Sequence, residues 1–176
     1  MFLIKSNNYL LLNTIINVLN QKAPYFTTNE QTHFFETILI SSNEHTFFIE
    51  IDNVKKSVTA PFGVTKLFEE IDSILLKIKI LFNELTYIPI KQNLTYQNKS
   101  LVLGNIHNLI FSSLLLHLDT GVNKSHLYEK IWPNDKNFQI NKLDTHLTNL
   151  KNLINEKLEY EINFKTIDGR IYLISN

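Results

Sequence analysis

The 176-residue chain contains no cysteine. That absence excludes a disulfide framework, a thiolate metal site and a cysteine nucleophile, and it fits a cytoplasmic location. Glycine is scarce, with four residues, and no Gly-rich phosphate loop or nucleophile elbow can be built from them. Arginine occurs once, as Arg170. Charge is sparse too: Asp, Glu, Lys and Arg make up 19% of the chain, and 17 cations balance 17 acids. A neutral chain suits poorly a protein whose affinity comes from phosphate contacts, so a nucleic-acid reading has to rest on local distribution. Long apolar runs are also missing. Leu109 to Leu118 is broken by Ser112, Ser113 and His117 and falls short of the roughly 20 residues of a membrane span, so no membrane association is expected. The opening Met1-Phe2-Leu3-Ile4-Lys5 has no basic segment before a long apolar stretch, and no secretory signal is expected. The six histidines (His33, His45, His107, His117, His126 and His146) show no metal-ligand spacing with carboxylates. No metal, no cofactor and no enzymatic activity are expected.

What is present is patterned apolar sequence, 44% of the chain, enough for one or two domains. In the first half, Phe2-Leu3-Ile4, Tyr25 to Thr27, Thr37 to Ile40, Thr46 to Ile49 and Lys56 to Thr59 have the β-branched and aromatic content of short strands. Between the first two, Tyr9 to Leu19 places Leu10, Ile15, Ile16 and Leu19 at helical spacing, with Asn7 or Asn8 as cap. Val64 to Phe82 predicts a second, strongly amphipathic helix, with Leu67, Ile71, Ile74, Leu75, Ile78 and Leu81 on one face. Continuous apolar strands with helices predict an α/β domain over residues 1–83, its sheet covered on both faces.

From Leu85 the pattern changes. Leu85 to Ile90, Leu94 to Gln97 and Ser100 to Leu103 alternate as an antiparallel meander. Three helical stretches follow: Asn105 to Leu118, a segment capped by Asn123 that stops before Pro133, and Ile140 to Leu153. Tyr160 to Ile167 and Ile171 to Ser175 flank Asp168-Gly169-Arg170, and Asp-Gly is a strong hairpin signal. Three helices followed by a β-hairpin is the layout of a winged helix-turn-helix, placed here at residues 84–176.

The stretches Leu101-Val102-Leu103-Gly104, Asn123 to Trp132, Leu143 to Lys151 and Thr166 to Tyr172 are similar to successive segments of the OmpR/PhoB-type effector domain of response regulators. The resemblance covers roughly Leu85 to Ser175. It implies an antiparallel β platform, three helices and a β-hairpin wing, double-stranded DNA as partner, and a role in transcription. It also implies that the loop from Pro133 to Gln139 touches RNA polymerase. The third helix would enter the major groove. Leu143, Leu147, Leu150 and Ile154 form its buried stripe, leaving Lys142, Thr145, Thr148, Asn149 and Asn152 to face the duplex. Asn pairs with adenine edges and Thr methyls meet thymine methyls, which points to an A·T-rich site. Lys124, Lys142 and Lys151 would reach phosphates, and Arg170, at the wing tip, a narrow minor groove. Trp132 is expected in the core, closing the second helix against the third.

The chain departs from the family in holding Thr148 and Asn149 where arginines are usual, and Asp168-Gly169 in the wing. From Lys99 onward, nine Lys and Arg face eight Asp and Glu. The same resemblance makes the first half a receiver. A working receiver needs an acidic pair, an aspartyl acceptor and a lysine; the matching places here hold Ser6-Asn7-Asn8, about Ser41, and Ala60. The connections around Ser41 to Glu44 and Asp52 to Lys55 are also too short for the usual helices. The expectation is a degenerate, shortened receiver-like domain, not switched by phosphorylation, that forms a homodimer through the Val64 to Phe82 helix. The alternative is a protein-interaction module that kept the winged-helix shape and lost DNA binding.

Overall fold

The computed structural model of the chain describes residues 2–22, 26–27, 29, 35–43, 45–52, 54–135 and 139–175, with side chains 9–11, 19, 21–22, 26–27, 64, 140 and 175 set aside. Tyr25, Glu44 and residues 136–138 of the Pro133 to Gln139 loop, and the side chains of Leu10 and Leu19, therefore lie outside the described residues. Two compact units are present, Met1–Ile78 and Lys79–Asn176.

Unit 1 holds one five-stranded sheet built from β1 (Phe2–Ser6), β2 (Phe26–Thr27), β3 (Thr37–Ser42), β4 (Thr46–Ile51) and β5 (Val54–Thr59). Two helices accompany it, α1 (Tyr9–Lys22) and α2 (Val64–Leu75). The strand order is β2-β1-β3-β4-β5. β1 runs parallel to β2 and β3, whereas β3–β4 and β4–β5 are antiparallel. Parallel neighbours need a crossover of a dozen or more residues, and the last two connections are far shorter. Asn43 makes the first, its Oδ1 accepting from the N–H of Thr46 at 2.8 Å and of His45 at 3.3 Å. Asp52 turns the second with φ 51°. The expectation that these links are too short for helices holds.

The expectation of a sheet covered on both faces does not hold along β3 to β5. Phe2, Leu3 and Ile4 are at most 1% exposed, so β1 is covered above and below. Along β3 to β5, Ile38, Ile40, Ile49, Ile51 and Val58 are buried, while Leu39, Ser41, Lys55 and Ser57 are exposed. Hairpins carry no helix to lay on that second face, so the pleat alternates.

The helix expected over Val64 to Phe82 is shorter. It ends at Leu75, after burying Leu67, Phe68, Ile71, Ile74 and Leu75. This apolar face packs on β4 and β5 of its own unit, so the route to a dimer expected through it is taken up internally. Ile80–Phe82 forms strand β6 instead, paired with β7 (Leu85–Ile88) across a turn in which Asn83 has φ 52°. Leu81, expected on the buried helix face, is 71% exposed. No Gly or Pro interrupts residues 76–79, so helical periodicity runs on in the sequence after the helix has ended. Because β6 belongs with β7, the division between units falls at Ile78, before the expected boundary.

In unit 2, β6, β7, β8 (Asn93–Tyr96) and β9 (Lys99–Val102) form an antiparallel meander. Then come α3 (Asn105–Leu115), β10 (Val122–Asn123), α4 (Lys124–Ile131), α5 (Ile140–Leu158) and the hairpin β11 (Ile162–Ile167) and β12 (Arg170–Ser175). β10 joins β12 in a second sheet of order β10-β12-β11. The buried Tyr87 hydroxyl donates to Asn108 Oδ1 at 2.6 Å, and its ring meets Phe111 edge-on at 5.4 Å, fastening the meander to α3. α3 stops at Leu115 and not Leu118, and α5 continues one turn past Leu153 to Leu158. Asp168 (φ 48°) and Gly169 (φ 73°) both adopt the left-handed conformation that a type I′ hairpin turn requires.

Two stability predictions follow from packing. Ile71→Ala opens a cavity and should cost about 2–4 kcal/mol, whereas Leu81→Ala should stay within about 0.5 kcal/mol of wild type; calorimetric unfolding of both variants checks this, and equal losses would restore the longer helix. Gly121 has φ +63°, and a Cβ there would lie 2.7 Å from the Tyr172 ring. Gly121→Ala should therefore cost about 2–4 kcal/mol through overpacking and left-handed strain, read in guanidinium unfolding followed by fluorescence of the single tryptophan, Trp132.

Candidate nucleic-acid interface

α5 is divided lengthwise by its sequence. Leu143, Leu147, Leu150, Ile154 and Leu158 recur at three- and four-residue spacing and are at most 5% exposed, packing on α3, α4, β9 and β11. The opposite face carries Asn141, Thr145, Thr148, Asn149, Asn152 and Asn155, all exposed. Thr145 Oγ1 donates to the Asn141 carbonyl at 2.8 Å, a back-bond to the preceding turn that occupies the hydroxyl. Asn141 and Asn155 extend the expected set by one turn at each end. Asn141 sits four residues before Thr145 and Asn155 three after Asn152, so the spacing rule finds both once the helix is given its full length.

Each of the four expected cations has a partner within the protein. Lys124 Nζ lies 2.6 Å from Asp144 Oδ1, and the lysine side chain is only 14% exposed. Lys142 Nζ pairs with Asp135 Oδ2 at 3.0 Å and lies 4.3 Å from the centre of the Trp132 ring. Lys151 Nζ donates to Asn163 Oδ1 on β11. Arg170 Nη1 donates to the carbonyls of Thr120 and Gly121, at 3.0 and 3.1 Å. A guanidinium has five N–H donors, so Arg170, exposed on β12, keeps further donor capacity beyond those two bonds. Lys165, on β11, is a further exposed cation of the wing. Asp135 and Asp144, the partners of the two lysines, were not singled out in the sequence; an acid seven residues before Lys142 and one adjacent to Thr145 are visible there, but their reach is not.

The elements around α5 are positioned by local bonds. Asn123 caps α4, its Oδ1 accepting from the His126 N–H at 3.1 Å, the bond a cap residue is selected for. The Lys124 N–H donates to the Gly169 carbonyl at 2.9 Å, tying the wing turn to the start of α4. Trp132 is half-buried and not in the core. It stands 4.7 Å from Tyr128 and 5.4 Å from His146, so it does close α4 against α5. The buried Tyr128 hydroxyl donates to Asp135 Oδ2 at 2.7 Å. Its pKa is raised, first by burial and then by the Asp135 carboxylate, so the phenol stays a donor and holds Asp135 toward Lys142.

In unit 1 the ends of β1, β3 and β5 carry neutral groups. Asn7 bridges to β3, accepting from the Ser42 N–H at 3.3 Å and donating to its carbonyl at 3.4 Å. Ser6 Oγ accepts from the Asn8 N–H at 3.1 Å. Ala60 donates its N–H to the His45 carbonyl at 2.7 Å.

No protein-family model matches the chain, and no curated protein matches it. Among solved structures, it is similar to the C-terminal domain of the nisin resistance regulator NsrR, described as a lantibiotic response regulator. The identity is 30%, the match covers 52% of this chain and 93% of that one, and the TM-score is 0.40.

Loss of the α4 cap isolates one of these bonds. Asn123→Ala should lower stability by about 1 kcal/mol and Asn123→Asp by much less; urea unfolding of the pair checks it, and equal losses would contradict a capping role.

Proposed function

We propose that residues 79–176 are a winged helix-turn-helix that binds double-stranded DNA, and that the protein is a transcriptional regulator. The observation that carries this reading is the division of α5: a leucine stripe clamped on the unit, and opposite it an exposed face of six Asn and Thr residues beside a hairpin held to α4. The DNA-contacting residues are Thr145, Thr148, Asn149 and Asn152, which suit A·T pairs, with Lys124, Lys142, Lys151 and Arg170 toward the backbone. Lys124 and Lys142 reach phosphate only by exchanging their carboxylates for it. RNA polymerase, through the Pro133 to Gln139 loop, is a further partner.

Unit 1 is a shortened receiver-like domain that aspartyl phosphorylation does not switch. Its β2-β1-β3-β4-β5 order is that of flavodoxin-like sheets, and the neutral Asn7–Ser42 bridge occupies the place where charged groups would handle a phosphoryl group. Unit 2 holds eleven Lys and Arg against nine Asp and Glu, so one copy releases few counterions and a homodimer through unit 1 supplies the rest. With the apolar face of α2 occupied, the exposed face bearing Lys66 and Glu69 is what remains of that helix for the contact. The alternative, an interaction module without DNA affinity, is favoured by one observation, the pairing of Lys124 and Lys142 with acids.

A salt-series shift assay on A·T-rich duplexes, run on the full chain, tests the reading. Wild type should show a slope of log K against log salt near −3 per copy, and Arg170→Ala should weaken it by about 1. Thr148→Ala with Asn149→Ala should cost roughly 1–3 kcal/mol of preference for the specific site. Asp144→Asn should tighten binding to every sequence by releasing Lys124. Absence of binding by wild type and Asp144→Asn alike would favour the interaction module, and a gain in affinity on treatment with acetyl phosphate would overturn the unswitched receiver.

A further inference from the structure

The junction of α3 with α5 contains a pair of imidazoles that DNA recognition does not use. His107, on α3, and His146, on α5, face each other with ring centres 5.7 Å apart and planes inclined by 71°. Nε2 of His107 and Nδ1 of His146 are buried and have no hydrogen-bond partner. The pair lines a cleft of about 460 Å³ together with Gly104, Asn105 and Ile106, and the cleft opens to solvent, so protons have a way in. On its other contact the His146 ring meets Trp132 at 5.4 Å.

We propose that the His107–His146 pair is a pH-sensitive latch: as neutral imidazoles they seal α3 to α5, and protonation opens the junction and unseats α5. Two cations cannot share a partly desolvated site of this size. Among the described residues, the charge that acts on His107 is that of His146. From α3 the titratable group is His107 and from α5 it is His146. At the end of α4 stands Trp132, whose ring carries Lys142, itself paired with Asp135. Asp144, two residues before His146, is paired with Lys124. The pKa of His107 is held below the ordinary imidazole value, first by burial and then by repulsion from His146. A folded value below the unfolded value of about 6.5 means the stabilisation is whole above that pH and is lost as pH falls through the folded value.

Trp132 is the single tryptophan and touches His146, so its emission reads the latch directly. In the full chain, wild-type emission should change in one step between pH 6.5 and pH 5, as opening of the junction takes His146 away from the indole. His107→Gln and His146→Gln should each abolish the step. The melting temperature should fall over the same range in wild type and stay flat in the double variant. An unchanged step in His146→Gln, or parallel melting curves for wild type and double variant, overturns the latch. Imidazole C–H resonances of wild type need no variant: that of His107 should titrate below the ordinary range, and an ordinary titration of His107 overturns the proposal. The unseating of α5 rests on the DNA-binding reading only in its last arm, loss of duplex affinity between pH 6.5 and pH 5 in wild type and not in the variant carrying both His107→Gln and His146→Gln. If the optical and thermal arms hold while no protein binds duplex at either pH, the latch stands and the DNA-binding reading fails.

Discussion

The leucine stripe of α5 is the constraint from which the rest of unit 2 takes its form. Five apolar side chains at helical spacing leave the nineteen-residue helix one rotation about its axis at which all of them are buried. Each contributes on the order of 1.5–3 kcal/mol of burial, so turning the helix would expose several at once. That rotation puts Asn and Thr on the outside, and it puts His146 against His107 and Trp132, and Lys151 against Asn163. The exposed Asn and Thr face and the histidine junction are therefore two outcomes of one packing decision.

Around this helix the chain handles charge by pairing. Lys124 and Lys142 are both within salt-bridge distance of an acid, and Arg170 spends two donors on backbone carbonyls that also fix the Thr120–Gly121 turn. Such pairs are worth little in stability when exposed, but they orient long side chains and reduce the field that would attract nonspecific polyanions. Under the proposed function, selectivity would then depend on short neutral side chains meeting base edges and not on a cationic surface. Unit 1 shows the same preference for neutral bonding in the Asn7–Ser42 bridge.

Much of this was legible in the sequence wherever one short-range rule decides the outcome. The Asn123 cap, the Asp168-Gly169 turn and the buried stripe on α5 each follow from local stereochemistry or from a period of 3.6. What was not legible depends on partners distant in the chain. Ile78 and Leu81 continue a helical period by coincidence, and only the pairing of β6 with β7 shows that the helix has ended. β10 is two residues long and exists because β12 lies beside it. The acid partners of the lysines were not legible because the sequence shows charges and not distances: Asp135 and Asp144 reach Lys142 and Lys124 only after α4 and α5 have docked. The two histidines lie 39 residues apart and carry no spacing signature, so their meeting belongs to the tertiary fold alone.

Replacing crossovers by hairpins on one side of the first sheet also bears on the order in which that sheet assembles. β3, β4 and β5 are joined by links of three and two residues, so closing those loops costs little chain entropy and the ribbon can form within microseconds. β1 must wait for a helix-length closure to meet β2 and another segment to meet β3. The strand that is buried on both faces is thus the one whose pairings are least local in the chain, and the ribbon beside it is the most local part of the sheet.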